Sequence, residues 1–151
     1  MKQILKPILT LIIMIFIIGG CSSKPTHIEL VVQSSKDLNP DLDNVSSPLM
    51  LTFYELESAE KFLKYDFWKL LDKSGKKLGD DLVSQAKHVI VPQQEQIYRI
   101  VFEKNTKFLG VIGKFRNIEN KSAWKYVINL EQEKYNYIEL KIKNFNIERV
   151  E

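Results

Sequence analysis

One cysteine, Cys21, stands among 151 residues. No disulfide can form within the chain, so its fold must be held by apolar burial. Zinc sites built on several cysteines are excluded for the same reason. Ahead of the cysteine, Met1–Gly20 carries Lys2 and Lys6, no acid, and the apolar run Ile8–Ile18. That run falls short of the roughly 20 residues a membrane-spanning helix needs. It fits the basic start and short apolar stretch of a secretory signal over residues 1–20, removed on maturation. The remaining 131 residues are one domain's worth, able to bury roughly two-thirds of their unfolded surface. Without Lys2 and Lys6 the 22 basic residues become 20 against 19 acids. A near-neutral chain gives no reason to expect nucleic acid as the partner.

Residues 21–26 form an anchor and short tether, and residues 27–151 the domain. His27–Gln33 alternates, with Ile28, Leu30 and Val32 on one face: a strand with one wet side. Ser34–Ser47 is a loop by composition. Its fourteen residues are long for a connection inside a compact domain. Leu49–Leu56 is a second strand, Leu51 and Phe53 on one face, Met50, Thr52, Tyr54 and Leu56 on the other. A helical insertion spans 58–87. Ser58 is its N-cap, and Leu63, Phe67, Leu70 and Leu71 form a stripe. A second short helix fits Gly79–Lys87, where Leu82 and Ala86 lie four apart. His88–Val91, Ile97–Glu103, Phe108–Phe115, Trp124–Leu130 and Tyr135–Lys143 complete seven strands. Gly110 and Gly113, inside a strand, mark a bulge or a close backbone approach. Short strands with mostly short turns predict a mainly β, two-sheet sandwich.

The chemistry-bearing residues do not assemble a catalytic set. His27 is close to the anchor and His88 begins a strand, so each reads as a surface or edge residue. No motif sets a nucleophile beside a base. Asp80 and Asp81 point apart if helical, and Glu131-Gln132-Glu133 reads as a solvated turn. Phosphate loops and His-x-x-x-His spacings are absent, so no metal, soluble cofactor or small-molecule substrate is expected. The aromatics fall at core spacings. The sequence therefore argues for a non-enzyme.

Ile18-Gly19-Gly20-Cys21-Ser22-Ser23 resembles the cleavage box of bacterial lipoproteins. The resemblance implies that Cys21 carries covalent lipid, the small residues before it admitting the peptidase. Several acyl chains anchor firmly where one does not, at about 0.8 kcal/mol per buried methylene. Ser22, rather than Asp, points to the outer membrane.

The order of further motifs resembles the type VI secretion system outer-membrane lipoprotein family, TssJ/SciN. Ser47-Pro48-Leu49-Met50-Leu51-Thr52-Phe53-Tyr54-Glu55-Leu56 looks like its proline-led second strand. Phe62-Leu63-Lys64-Tyr65-Asp66-Phe67-Trp68-Lys69-Leu70 is similar to its Phe-x-x-x-Asp-Phe-Phe-x-Leu helix. Leu78-Gly79-Asp80-Asp81-Leu82 and Leu109-Gly110-Val111-Ile112-Gly113-Lys114-Phe115-Arg116-Asn117 resemble two more of its motifs. Ala123-Trp124-Lys125 stands where Trp-Arg is usual, and Gln93 follows Pro92 where glycine is common. The resemblance implies a transthyretin-like sandwich with a small helical insertion after the second strand. It implies a protein in the inner leaflet of the outer membrane, facing the periplasm. There it would tether the periplasmic C-terminal region of the inner-membrane subunit TssM, among the other membrane-complex subunits. The partner contact is implied for the loop after the first strand, here Leu38, Asn39, Pro40, Asp41, Leu42 and Asp43. Phe115, Arg116 and Trp124 are assigned to packing. The rival reading is a periplasmic lipoprotein inhibitor or ligand-binding module; a lipid-anchored enzyme is disfavoured by the missing catalytic set.

Overall fold

The computed structural model describes residues 24–118 and 123–150. The signal residues 1–20, Cys21, Ser22, Ser23, part of the polar loop at 119–122 and Glu151 lie outside the described residues.

Two four-stranded sheets stack face to face. The first runs β4(Glu95–Val101)-β1(His27–Ser34)-β7(Tyr135–Lys143)-β8(Asn146–Arg149), and the second β3(Leu82–Ile90)-β2(Leu49–Leu56)-β5(Phe108–Gly113)-β6(Lys125–Asn129). The β1–β7 pair is parallel and the other pairs are antiparallel. The mainly β sandwich with an insertion after the second strand is the architecture the residues predict. Its core lies between the sheets, where Ile28, Leu30 and Val32 of β1 meet Leu49, Leu51 and Phe53 of β2, with Leu109, Val111, Leu140 and Ile142. Alternation along β1 and β2 supplies this face, because successive side chains of a strand point to opposite sides.

The other face of β2 is buried too. Tyr54 and Leu56, with Ile112 of β5, pack under the insertion through Phe62, Phe67, Leu70 and Leu78. The insertion is two short helices, α1(Glu60–Lys64) and α2(Phe67–Leu71), then a 3₁₀ segment Asp72–Asp81. Asp66 breaks the single helix that the leucine stripe suggests. Its backbone is extended and its carboxylate caps α2 by accepting Lys69 N–H at 2.8 Å. The break turns Leu63 out to solvent, against the expectation that it is buried. Ala59 holds the N-cap of α1 without a side-chain bond, while Ser58 Oγ accepts Glu60 N–H at 3.3 Å.

Further boundaries differ, the expected strands Ile97–Glu103, Phe108–Phe115 and Trp124–Leu130 forming as Glu95–Val101, Phe108–Gly113 and Lys125–Asn129. The second helix expected over Gly79–Lys87 does not form, because Leu82–Lys87 belongs to β3 and pairs antiparallel with β2. Residues four apart share a face in a strand as well as in a helix, so Leu82 and Ala86 could not distinguish the two. The insertion thus closes at Asp81, which pairs with Lys61 at 3.3 Å rather than starting a helix. An eighth strand, β8, joins β7 through the two-residue turn Asn144-Phe145, with Asn144 at φ 52°. Gln93 adopts φ 58° after Pro92, so the turn keeps the left-handed geometry that glycine usually supplies. Gly110 meets its expectation: a Cβ there would lie 2.7 Å from the Phe62 ring.

Candidate interaction site at the loop after the first strand

The loop between β1 and β2 has a buried root and an exposed tip. Leu38 is fully buried in the sandwich core, and Asn39 is buried with φ 45°. Asn39 fastens the loop to three neighbours. Its N–H donates to Asn144 O at 2.8 Å, its side-chain amide donates to Pro48 O at 3.0 Å, and its Oδ1 accepts Arg116 N–H at 2.8 Å. Ser47 Oγ donates to Asn39 O at 2.6 Å and accepts Arg116 Nε–H at 3.0 Å. Leu38 and Asn39, expected among the partner contacts, therefore hold the loop in place instead.

The tip is folded by Asp41. Its carboxylate accepts Asp43 N–H at 3.0 Å and Val45 N–H at 2.8 Å, and its own N–H donates to Val45 O at 2.9 Å. A short side chain closing a tight turn on its own backbone is the usual role of Asp at such a site. The carboxylate is thus occupied locally. Leu42 stands fully exposed beside Asp43 and the exposed Val45.

A groove of about 640 Å³ separates this tip from the helical insertion. Pro40, Asp41, Leu42 and Asp43 form one wall, Phe67 and Trp68 of α2 the other, and Phe115 and Ile118 lie between. Trp68 is 72% exposed. It is held edge-on to Phe67 at 5.3 Å, and Phe67 is held edge-on to Trp124 at 5.2 Å. A second groove of about 660 Å³ lies on the other side of Trp68, bordered by Lys69, Lys77 and Lys114. Both grooves carry mixed charge, Arg116 lining the first with Asp41 and Asp43, and Asp72 lining the second, where it pairs with Lys77 at 3.3 Å.

Sequence reasoning missed Trp68, which sits in a motif that otherwise predicts packing. A signal was available: Trp68 lies one residue from Phe67 and so off the buried helical stripe. Phe115 and Trp124 pack as expected, Phe115 in the core and Trp124 against both clusters.

Lys125 ties the insertion to β6. Its ammonium donates to the carbonyls of Phe62, Leu63 and Tyr65, each at 2.8 Å. These carbonyls close the end of α1, where helices leave acceptors unpaired. Burial lowers the Lys125 pKa from its ordinary value, against an opposing pull from Asp66.

The His27 ring bonds Pro25 O at 3.0 Å, and His88 lies between Phe53 and Tyr98 at 4.8 and 4.6 Å. Among the described residues no group of His, Cys, Asp or Glu could hold a metal ion, and no helix is long and apolar enough to cross a membrane.

No curated protein sequence matches the chain. Solved structures do. The type VI secretion lipoprotein TssJ1 of Pseudomonas aeruginosa is 25% identical, with a TM-score of 0.79 over 83% of this chain and 95% of that one. Serratia marcescens Lip, described as a membrane-bound component of the type VI secretion system, is 18% identical, with a TM-score of 0.76 over 84% and 97%. A structure described as the TssM C-terminal domain (869-1107) from EAEC matches at 15% identity, with a TM-score of 0.69 over 83% and 98%. The last two likenesses show the fold. The family model described as type VI secretion lipoprotein, VasD, EvfM, TssJ, matches residues 26–144. With that match spanning seven of the eight strands, the insertion and the loop, the chain belongs to the type VI secretion lipoprotein family.

Proposed function

We propose that this chain is a structural, non-catalytic lipoprotein of the type VI secretion membrane complex. It is acylated at Cys21, held in the inner leaflet of the outer membrane, and carries the periplasmic C-terminal region of TssM. The observation that carries the reading is the pairing of Leu42 and Trp68. Two large apolar side chains from separate elements stand in water across one groove. Exposed apolar surface beside a concave floor marks a contact site, and tryptophan is the residue most enriched among binding hot spots. Family membership supports a place in the type VI secretion system, and TssM is the partner that the family resemblance implies.

The test is calorimetric titration of the domain against the partner's periplasmic C-terminal region. Leu42→Ser with Trp68→Ser leaves the buried root intact. It should weaken binding at least about 30-fold, the equivalent of one hot spot at roughly 2 kcal/mol. Unchanged affinity in the folded double variant would move the interface away from this groove.

A further inference from the structure

The outer face of the first sheet bears exposed apolar side chains, and at one end of the strands they form a row without Asp, Glu, Lys or Arg. Strand register aligns Val101 of β4, His27 of β1 and Tyr135 of β7 in one row, at the end where the chain enters the domain. Val101 is 68% and Tyr135 55% exposed. In the next two rows the exposed Tyr137 and Ile97 stand among charges, Tyr137 level with the Glu29–Arg99 ion pair at 2.8 Å and Ile97 level with Glu139. The far row is Glu95, Gln33 and Lys141. From Tyr135 to Lys141 is about 20 Å of strand.

The entry point is fixed. Thr26 is buried, its carbonyl accepting Phe102 N–H at 2.9 Å and its hydroxyl accepting Glu133 N–H at 2.8 Å. His27 N–H donates to Lys134 O at 3.1 Å. Thr26 is five positions after Cys21, a reach of at most about 18 Å. A chain acylated at Cys21 therefore holds Thr26 within that distance of the lipid, with the Val101–His27–Tyr135 row starting at the next residue.

The geometry points to a phospholipid surface as the occupant: the Val101–Tyr135 end of this sheet rests in the headgroup layer of the membrane that takes the acyl chains. The inference rests on acylation of Cys21. Tyrosine suits that layer, its ring in the apolar boundary and its hydroxyl in water. Only the row nearest the anchor lacks Asp, Glu, Lys and Arg, as an edge dipped into the layer requires, and every row behind it carries charge that stays in water. An interface with a second copy has no reason to fade with distance from the anchor. Charge does not drive the contact, because Lys104 and Lys134 in the adjoining turns are offset by Glu131 and Glu133, with Lys134 paired to Glu131 at 2.7 Å. Docking should persist at about 1 M salt, where screening acts within roughly 3 Å.

The test uses the full lipidated chain in vesicles of phosphatidylethanolamine and phosphatidylglycerol, its intact mass establishing the acyl chains first. With Cys21 blocked by lipid, Val101→Cys and Lys141→Cys each accept one fluorophore. Quenching by nitroxide-bearing lipids should be at least about threefold greater at position 101 than at 141 for a surface seated 5–10 Å into the boundary. Tyr135→Ser with Tyr137→Ser should abolish the difference while the acyl mass and circular dichroism stay unchanged. Equal quenching at both positions on an acylated chain would overturn this inference alone, as would oxidative cross-linking between Val101→Cys copies. A chain without acyl mass would overturn the reading of Cys21 and this inference with it.

Discussion

A methyl group added at Gly110 should report directly on how the insertion is seated. An ideal Cβ there lies 2.7 Å from Phe62 Cζ, 2.8 Å from Cε2 and 3.1 Å from Cε1. Ordinary carbon contacts lie at about 3.5–4.0 Å, so the ring must retreat by most of an ångström. It has little room to do so. The ring is fully buried and stands 5.5 Å from Tyr54, and Lys125 fixes the Phe62 carbonyl at the end of α1. Overpacking of this kind costs about 1–3 kcal/mol, against a gain of about 0.5–1 kcal/mol from replacing a strand glycine. Gly110→Ala should therefore destabilise the domain by about 1–2 kcal/mol.

The companion change settles the cause. Phe62→Ala should cost about 3–5 kcal/mol through the cavity it leaves. In that background the obstruction is gone, and the methyl added by Gly110→Ala occupies part of the void. Gly110→Ala should then become neutral or stabilising, giving a coupling energy of about 1.5–3 kcal/mol. Urea unfolding of the four proteins, followed by tryptophan fluorescence, measures the cycle. Additivity within about 0.5 kcal/mol would refute the contact.

Two further outcomes follow from single side chains. Lys125→Met keeps the aliphatic stem but removes the donors to three carbonyls; urea unfolding should show a loss of about 1–3 kcal/mol, the cost of stranding partly buried acceptors. Burial lowers the His88 pKa from 6.5, so the unfolded chain takes up a proton first as pH falls, and stability should drop below pH 6.5 down to the folded value; His88→Phe should flatten the urea midpoint between about pH 7.5 and about pH 5.

The strands were legible where alternation was strong and the turns short. Leu49–Leu56 and Tyr135–Lys143 carry an apolar side chain at nearly every inward position, and both form with the expected limits. β8 was not legible, because its core contribution is Ile147 alone, and one apolar residue makes no period. The Gly79–Lys87 error came from a spacing that two structures share. The helix error came from reading Leu63, Phe67, Leu70 and Leu71 as one stripe, when Asp66 prefers to cap a new helix. Asp, Ser and Asn compete with helix interiors through local backbone bonds, a preference visible in the residue but outweighed in the spacing argument.

The loop after β1 shows why composition could not separate anchor from contact. Leu38 and Leu42 are the same residue four positions apart, and neither has a periodic partner. What divides them is long-range: Asn39 bonds Asn144 and Arg116, more than seventy positions away, and so draws Leu38 inward. Asp41 then closes the tip and turns Leu42 outward. Replacing the whole stretch 38–43 by a flexible linker would remove a core leucine together with the contact surface. Its effect on binding could not then be told from its effect on folding. The same bonds alter the role of the loop's acids. With Asp41 engaged by two backbone amides, it is part of the scaffold, and Asp43 is the exposed acid on this tip. Binding at Leu42, as proposed, would start from a loop already ordered by Asn39, Asp41 and Ser47. Little further entropy would be lost on contact, which would let a small apolar surface hold a partner with useful affinity.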